Sequence, residues 1–286
     1  MVGIIPFAGA GALLEASGTT LEKKVLKKRK IHYKDFIVWH FFAIILIMLI
    51  FIYFFWHMDS AALSPFNLFI LALVVFSSIA ANIFIFYAVK WEKITNLEPL
   101  RLFQPLFVIL LAFILYSSER TKPLSIIIPA LIAALALIIS HVKKHHLSLN
   151  KFMLSALAGS FFFALELVIS RKILPFYNPI SFYLVRSALV FLAVLFIFRS
   201  KPTSIDKKSW IYLFMIGAIW VVYRILVYYG YMAEGIGIIF TTLLFILAHV
   251  FIYIFAVIFL KEKLKWKNII SAIVIALCVA YAIIQT

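Results

Sequence analysis

Ten apolar segments, each about long enough to cross a bilayer, occupy most of this chain and leave it few ways to fold. Spanning the hydrocarbon core takes roughly 20 apolar residues per helix. In lipid, only helices and closed barrels satisfy every backbone polar group. The runs are continuous rather than alternating, which selects helices over a barrel. Of 286 residues 66% are hydrophobic, so short loops remain and there is no room for a soluble domain. The pattern predicts helices over 3–22, 36–56, 66–89, 94–116, 123–141, 152–173, 179–199, 209–231, 236–260 and 266–284. The first is the least apolar and holds Glu15 among Ala8, Gly9, Ala10, Gly11, Ala12, Ala16 and Gly18. Small residues let helices approach closely, so it reads as a tightly packed span, with an amphipathic or re-entrant segment as the alternative.

Shifted by about 143 residues, the chain overlays itself: Tyr87 falls on Tyr229, Glu92 on Glu234, Ile94 on Ile236 and Glu119 on Glu262. Leu21-Glu22-Lys23-Lys24-Val25-Leu26 likewise resembles Ile169-Ser170-Arg171-Lys172-Ile173-Leu174. The halves, 1–145 and 146–286, hold five segments each. An odd number of crossings turns the second copy upside down. Inverted repeats of this kind are the ground plan of many secondary transporters. The expected fold is therefore an all-α membrane protein, ten transmembrane helices arranged as two inverted five-helix repeats.

The net charge of +16 does not indicate nucleic acid, because the basic residues sit between the apolar segments. Loops after odd-numbered segments, counted with the segment ends that adjoin them, carry 20 Lys and Arg, and those after even-numbered segments carry 4. Positive charge stays cytoplasmic. The chain is thus expected to be a multi-pass protein of the cell membrane with both termini outside. The N-terminus lacks the basic region of a signal peptide, and Glu15 interrupts its apolar stretch. A single cysteine, Cys278, excludes an intrachain disulfide and a cysteine metal cluster. His141, His145 and His146 lie in a basic loop and read as solvated. No phosphate-binding glycine loop or HExxH pattern occurs, and neither metal nor cofactor is expected.

Charges at membrane depth are costly and face cavities or one another. Glu166, Arg186 and Arg224 fall on segments 6, 7 and 8, all at one depth, as one polar cluster or a set of ion pairs. A second set, Glu15, His40, Asn82, Glu98 and Arg101, falls on segments 1 to 4 toward the opposite face. His40 aligns with Arg186 across the repeat, and Asn82 with Arg224. Glu98 and Arg101 are three apart and can pair locally. Trp220, Arg224 and Tyr228 share a helix face, an arrangement suited to an anionic or aromatic solute or to simple packing. His249 lies mid-segment 9, where a histidine relays protons or fills a packing site.

These residues resemble the drug/metabolite transporter superfamily, in its EamA-like ten-helix branch. The best segment is Ala248-His249-Val250-Phe251 followed by Ala256-Val257-Ile258-Phe259-Leu260-Lys261-Glu262-Lys263-Leu264. Glu262 matches the glutamate that precedes the family's last span, and Glu119 its first-half equivalent. Arg186 matches an arginine early in the seventh helix, and Pro105 a proline of the fourth. Lys261 stands for a usual glycine, His249 for a proline and His40 for an arginine. The resemblance implies intertwined halves around a central cavity, and termini in the cytoplasm, against the charge count. It also implies movement of a small organic solute; the inverted repeat leads to alternating access as the expected mode, with Glu15, His40, Glu166 and His249 as candidates for proton coupling. A homodimer is compatible with the sequence. The other readings are an enzyme acting on lipid-linked substrates and a structural membrane protein.

Overall fold

The computed structural model describes residues 4–28, 31–91, 103–141, 150–202, 205–233, 237–260 and 266–285. These form ten helices of 13 to 27 residues. In order they are α1 (Ile4–Lys28), α2 (Tyr33–Phe55), α3 (Pro65–Trp91), α4 (Phe103–Leu115) and α5 (Leu124–His141). The second half holds α6 (Lys151–Ile173), α7 (Pro179–Phe198), α8 (Lys207–Met232), α9 (Gly237–Leu260) and α10 (Trp266–Ile284). A one-turn helix, Ser117–Arg120, follows α4, and two 3₁₀ turns, Ser60–Leu63 and Leu174–Phe176, lie in other loops. Five helices (α2, α3, α6, α7 and α8) are long and apolar enough to cross a membrane, and shorter apolar stretches lie on α4, α5, α9 and α10.

Local signals set several helix starts. Asn150 accepts from the backbone N–H groups of Phe152 and Met153 at the start of α6. Asn178 accepts from Ile180 N at the start of α7, where Pro179 takes the first helical position. Such caps satisfy backbone donors that have no partner within the helix. α1 runs six residues beyond its predicted end at residue 22, so Glu22 lies within the helix rather than at its last position.

Loops gather at two ends. Met58 and Tyr177 form a β-bridge between the α2–α3 and α6–α7 connections, joined by Asn178 N donating to His57 O at 3.0 Å. Glu119, after α4, reaches the end of α6 and the start of α9 at that same end. At the opposite end, Lys90 Nζ donates to Leu26 O and Ile31 O, joining the end of α3 to the α1–α2 connection. Ser200, after α7, donates to Asp35 and accepts from Trp39 Nε1 near the start of α2. The helices joined by these contacts alternate in direction through the bundle.

The two halves interleave. α3 packs most extensively on α6, and its counterpart pair across the repeat is α8 on α1. Likewise α4–α6 mirrors α9–α1, and α3–α7 mirrors α8–α2. The α2–α7 and α5–α10 pairs map onto themselves. Close approach explains the α3–α6 contact. A Cβ at Gly159 would overlap the Ile85 side chain and meet Ile85 N at 3.1 Å. Ser155 Oγ also donates to Phe84 O at 2.8 Å across the same pair. Gly159→Leu is expected to push α3 from α6 and cost about 1–3 kcal/mol, read as a lower unfolding midpoint in detergent.

Large side chains point outward along the bundle: Tyr53 is 87% exposed, Phe54 74% and Phe196 77%. In water a surface this apolar marks an interaction site. On helices of this length it matches a lipid-facing shell. Tyr53 and Trp56 close α2, where amphipathic rings suit the membrane interface.

Candidate functional site: a buried ion cluster between two cavities

Glu166 is fully buried on α6 and bridges two helices. Arg186 Nε of α7 lies 3.1 Å from Oε1, and Arg224 Nη1 of α8 lies 3.1 Å from Oε2. Neither contact is aligned as a hydrogen bond, so the attraction is coulombic rather than directional. Tyr228 supplies a hydrogen bond, its hydroxyl donating to Oε1 at 3.1 Å. Arg186 also donates from Nη2 to Ser78 Oγ of α3 at 2.6 Å. One carboxylate thus serves two guanidinium groups, and the three charges predicted on segments 6 to 8 do meet. In a water-free interior a carboxylate and guanidinium of this kind depend on each other.

Rings complete the cluster. The Arg224 guanidinium lies 5.4 Å from the centre of the Phe163 ring, and that of Arg186 lies 5.4 Å from Tyr183. The face Trp220–Arg224–Tyr228 was expected to flank a guanidinium with its own rings. Instead its members address carboxylates: Trp220 Nε1 donates to Glu22 at 2.7 Å, while Arg224 and Tyr228 both engage Glu166. Glu22 is the last residue of the expected helix 3–22, beside a basic run, and nothing in the sequence marks it as facing the interior.

Two cavities flank this cluster. The first is lined by Glu22, His40, Asn82, Arg186, Trp220 and Arg224, among others. His40 stacks on Phe36 with ring centres 5.6 Å apart, and its Nδ1 is buried without a partner. Asn82 Nδ2 donates to Ser78 O at 2.7 Å, so Ser78 links it to Arg186. The second cavity is lined by Glu15, Thr19, Gln104, Tyr223, Tyr231 and His249, among others. Tyr223 donates to Glu15 Oε2 at 2.8 Å. His249 Nδ1 lies 3.3 Å from Ile246 O.

This placement redraws the sets read from sequence. His40 and Asn82 share a cavity with Arg186 and Arg224, and Glu15 belongs with His249 on another. Glu15 and Glu22 lie two turns apart on α1, and the helix carries one past each cavity. Glu98 and Arg101 lie outside the described residues. Among the described residues, no three His, Cys, Asp or Glu side chains converge as a metal site.

A further acidic anchor stands at one end of the bundle. Glu119 is fully buried, pairs with Arg171, and accepts from Ile238 N at 3.0 Å and Ile239 N at 3.2 Å. It therefore caps α9 from another part of the chain. Gly237 has φ +69°, and a Cβ there would collide with the Glu119 carboxylate. Partial burial pulls the nearby Lys122 ammonium below the usual lysine range, with Glu119 opposing that effect.

The EamA-like transporter family model matches residues 3–140 and 150–284. The chain belongs to the EamA-like transporter family. Within this EamA-like protein, the two matched stretches are the two interleaved halves described above. A solved structure described only as "Crystal structure of protein" superposes with TM-score 0.67 at 15% identity. It covers 98% of this chain and 97% of its own, and at that identity the likeness concerns fold alone. No curated protein sequence matches. The EamA-like chain is thus a multi-pass membrane protein of a small-solute transporter family.

Proposed function

We propose that this protein is a secondary transporter that moves a small organic solute, a metabolite or drug-like molecule, across the cell membrane by alternating access. The reading has ten crossings, two inverted five-helix repeats (1–145 and 146–286) and both termini outside. One observation carries it: in a chain of a transporter family, two cavities, each with several polar side chains in its lining, flank a buried Glu166–Arg186–Arg224 cluster. Membrane proteins keep intramembrane charge mainly where it serves a pathway or a pump. The mirrored packing of α3–α6 and α8–α1 supports two equivalent halves that rock against each other.

In this mechanism the solute enters the cavity lined by Arg186, Arg224, His40 and Asn82. The guanidinium groups orient it through charge-assisted hydrogen bonds, and the surrounding rings hold its apolar part. Rocking then exposes the cavity to the other side. Glu15, His40, Glu166 and His249 are the groups available for proton coupling. The lipid bilayer and the solute are the partners this function needs. Neither a cofactor nor nucleic acid enters, and a homodimer is not required.

The direct test is uptake into liposomes containing the purified protein, across a metabolite panel, with and without a pH gradient. At least one solute should accumulate above protein-free vesicles. Absence of movement for every solute class counts against the proposal. Arg224→Ala should lower uptake at least about tenfold, as loss of one charged contact in a dry site does. If that variant folds and transports like the parent, the cluster is purely structural.

A further inference from the structure

Three helices that wall the second cavity converge on the Glu119 anchor. α4 lines that cavity with Val108, α6 with Leu167 and α9 with Thr242. Glu119, just after α4, pairs with Arg171 of α6 and accepts from Ile238 N and Ile239 N at the start of α9. Tyr116 strengthens this clasp. Its hydroxyl donates to Val168 O at 2.8 Å, and the Arg171 guanidinium lies 5.1 Å from the centre of its ring. The clasp stands directly over the cavity. Arg171 follows Leu167 by one helical turn on α6, and Ile238 precedes Thr242 by one turn on α9, about 6 Å along each axis. Tyr231, which also lines the cavity, is the penultimate residue of α8 at the same end.

We infer that the clasp is the gate of the second cavity at this end of the bundle. The cavity is shut there while Glu119 holds α9, and it opens there when α9 is released. This use of the clasp rests on the alternating-access reading, in which a cavity is closed toward one side at a time; the closure itself does not. Glu119, Ile238 and Ile239 are all fully buried, so the clasp seals the end that it occupies. One carboxylate is shared by α6 and α9, so moving a single side chain detaches α9 from the end of α4. The bonds also suit a closure that must reverse. Charge-assisted hydrogen bonds are strong in a dry site, and water replaces them once it arrives. The Arg171 side chain is 24% exposed, which puts one member of the clasp at the boundary with solvent. Gly237 makes the seal tight: with φ +69° and no Cβ, it lets α9 begin against the carboxylate.

The test is thiol labelling of the full-length protein in detergent, with Cys278→Ser to remove the one native cysteine. Thr242→Cys places a thiol on the cavity at a position 8% exposed, and a polar maleimide reads its access to water. Labelling should be slow while Glu119 is present. Glu119→Ala should speed it about tenfold or more, as expected for lost charge-assisted hydrogen bonds. Glu119→Gln, which keeps an oxygen for the cap, should stay much nearer the parent rate. Gly237→Ala, whose Cβ would press on Glu119 Oε1, should speed labelling severalfold and serves where Glu119→Ala fails to fold. Ser155→Cys, also 8% exposed but in the α3–α6 contact, reads general loosening and should not respond. Equal rates with and without Glu119→Ala, or Gly237→Ala in its place, overturn the inference. So does an equal gain at Ser155→Cys. Transport is judged separately: a gain at Thr242→Cys without any solute movement in liposomes would refute only the transporter reading. Solute movement with an unchanged labelling rate would refute only the gate.

Discussion

Glu166→Ala should be the most damaging single substitution in the bundle core, costing about 3–5 kcal/mol of stability. The reason is the stoichiometry of the cluster. Glu166 is the carboxylate for both Arg186 and Arg224, and it accepts the Tyr228 hydroxyl as well. Its loss leaves two guanidinium groups in a protein interior where they are 2% and 6% exposed. The measurement is an unfolding titration in mixed micelles. A double variant, Glu166→Gln with Arg224→Met, should recover part of the loss, because it removes one stranded cation along with the carboxylate. If Glu166→Ala unfolds within about 1 kcal/mol of the parent, the guanidinium groups find water or lipid headgroups and the cluster is not the packing centre.

Glu119→Ala is the second large effect, expected at about 2–3 kcal/mol from the lost cap and the buried donors left behind. Ile238 N and Ile239 N lose their acceptor at the start of α9, and Arg171 loses its partner. Glu119→Gln separates the contributions: the amide oxygen still caps, while the ion pair is gone, so the loss should be less than half. Proteolysis or hydrogen exchange at the α8–α9 connection provides a local readout. It should increase in Glu119→Ala and stay near the parent in Glu119→Gln. Equal behaviour of the two variants would mean that the ion pair, rather than the cap, holds α9.

The second case also shows how sequence and structure divide the information. The self-overlay singled out Glu119 and Glu262 as equivalent, and family resemblance marked both. Neither could say that Glu119 caps a helix more than 100 residues away in the chain, since a cap is normally sought next to the helix it serves. Gly237 explains itself only beside that carboxylate. Glu22 carried no signal for a related reason: as the last residue of the expected helix 3–22, beside a basic run, it reads as a boundary residue, whereas α1 continues to Lys28, packed on α8 and α9. Charges on a membrane segment can be counted by eye, but their direction depends on helix rotation, which periodicity barely constrains when nearly every neighbour is apolar.

By itself, the sequence determined what lipid dictates. Continuous apolar runs require helices, basic residues fall between them, and the segment from Ala248 to Leu264 with Arg186 carries the family resemblance. Only the tertiary structure decided which polar groups meet. It joined Glu166 to two arginines, moved His40 and Asn82 beside them, and set Glu15 with Thr19 and Tyr223 on a cavity of its own. The physical reason is that burial of apolar surface is non-directional and depends on composition, whereas ion pairs and hydrogen bonds act over about 3 Å and depend on how each helix is turned.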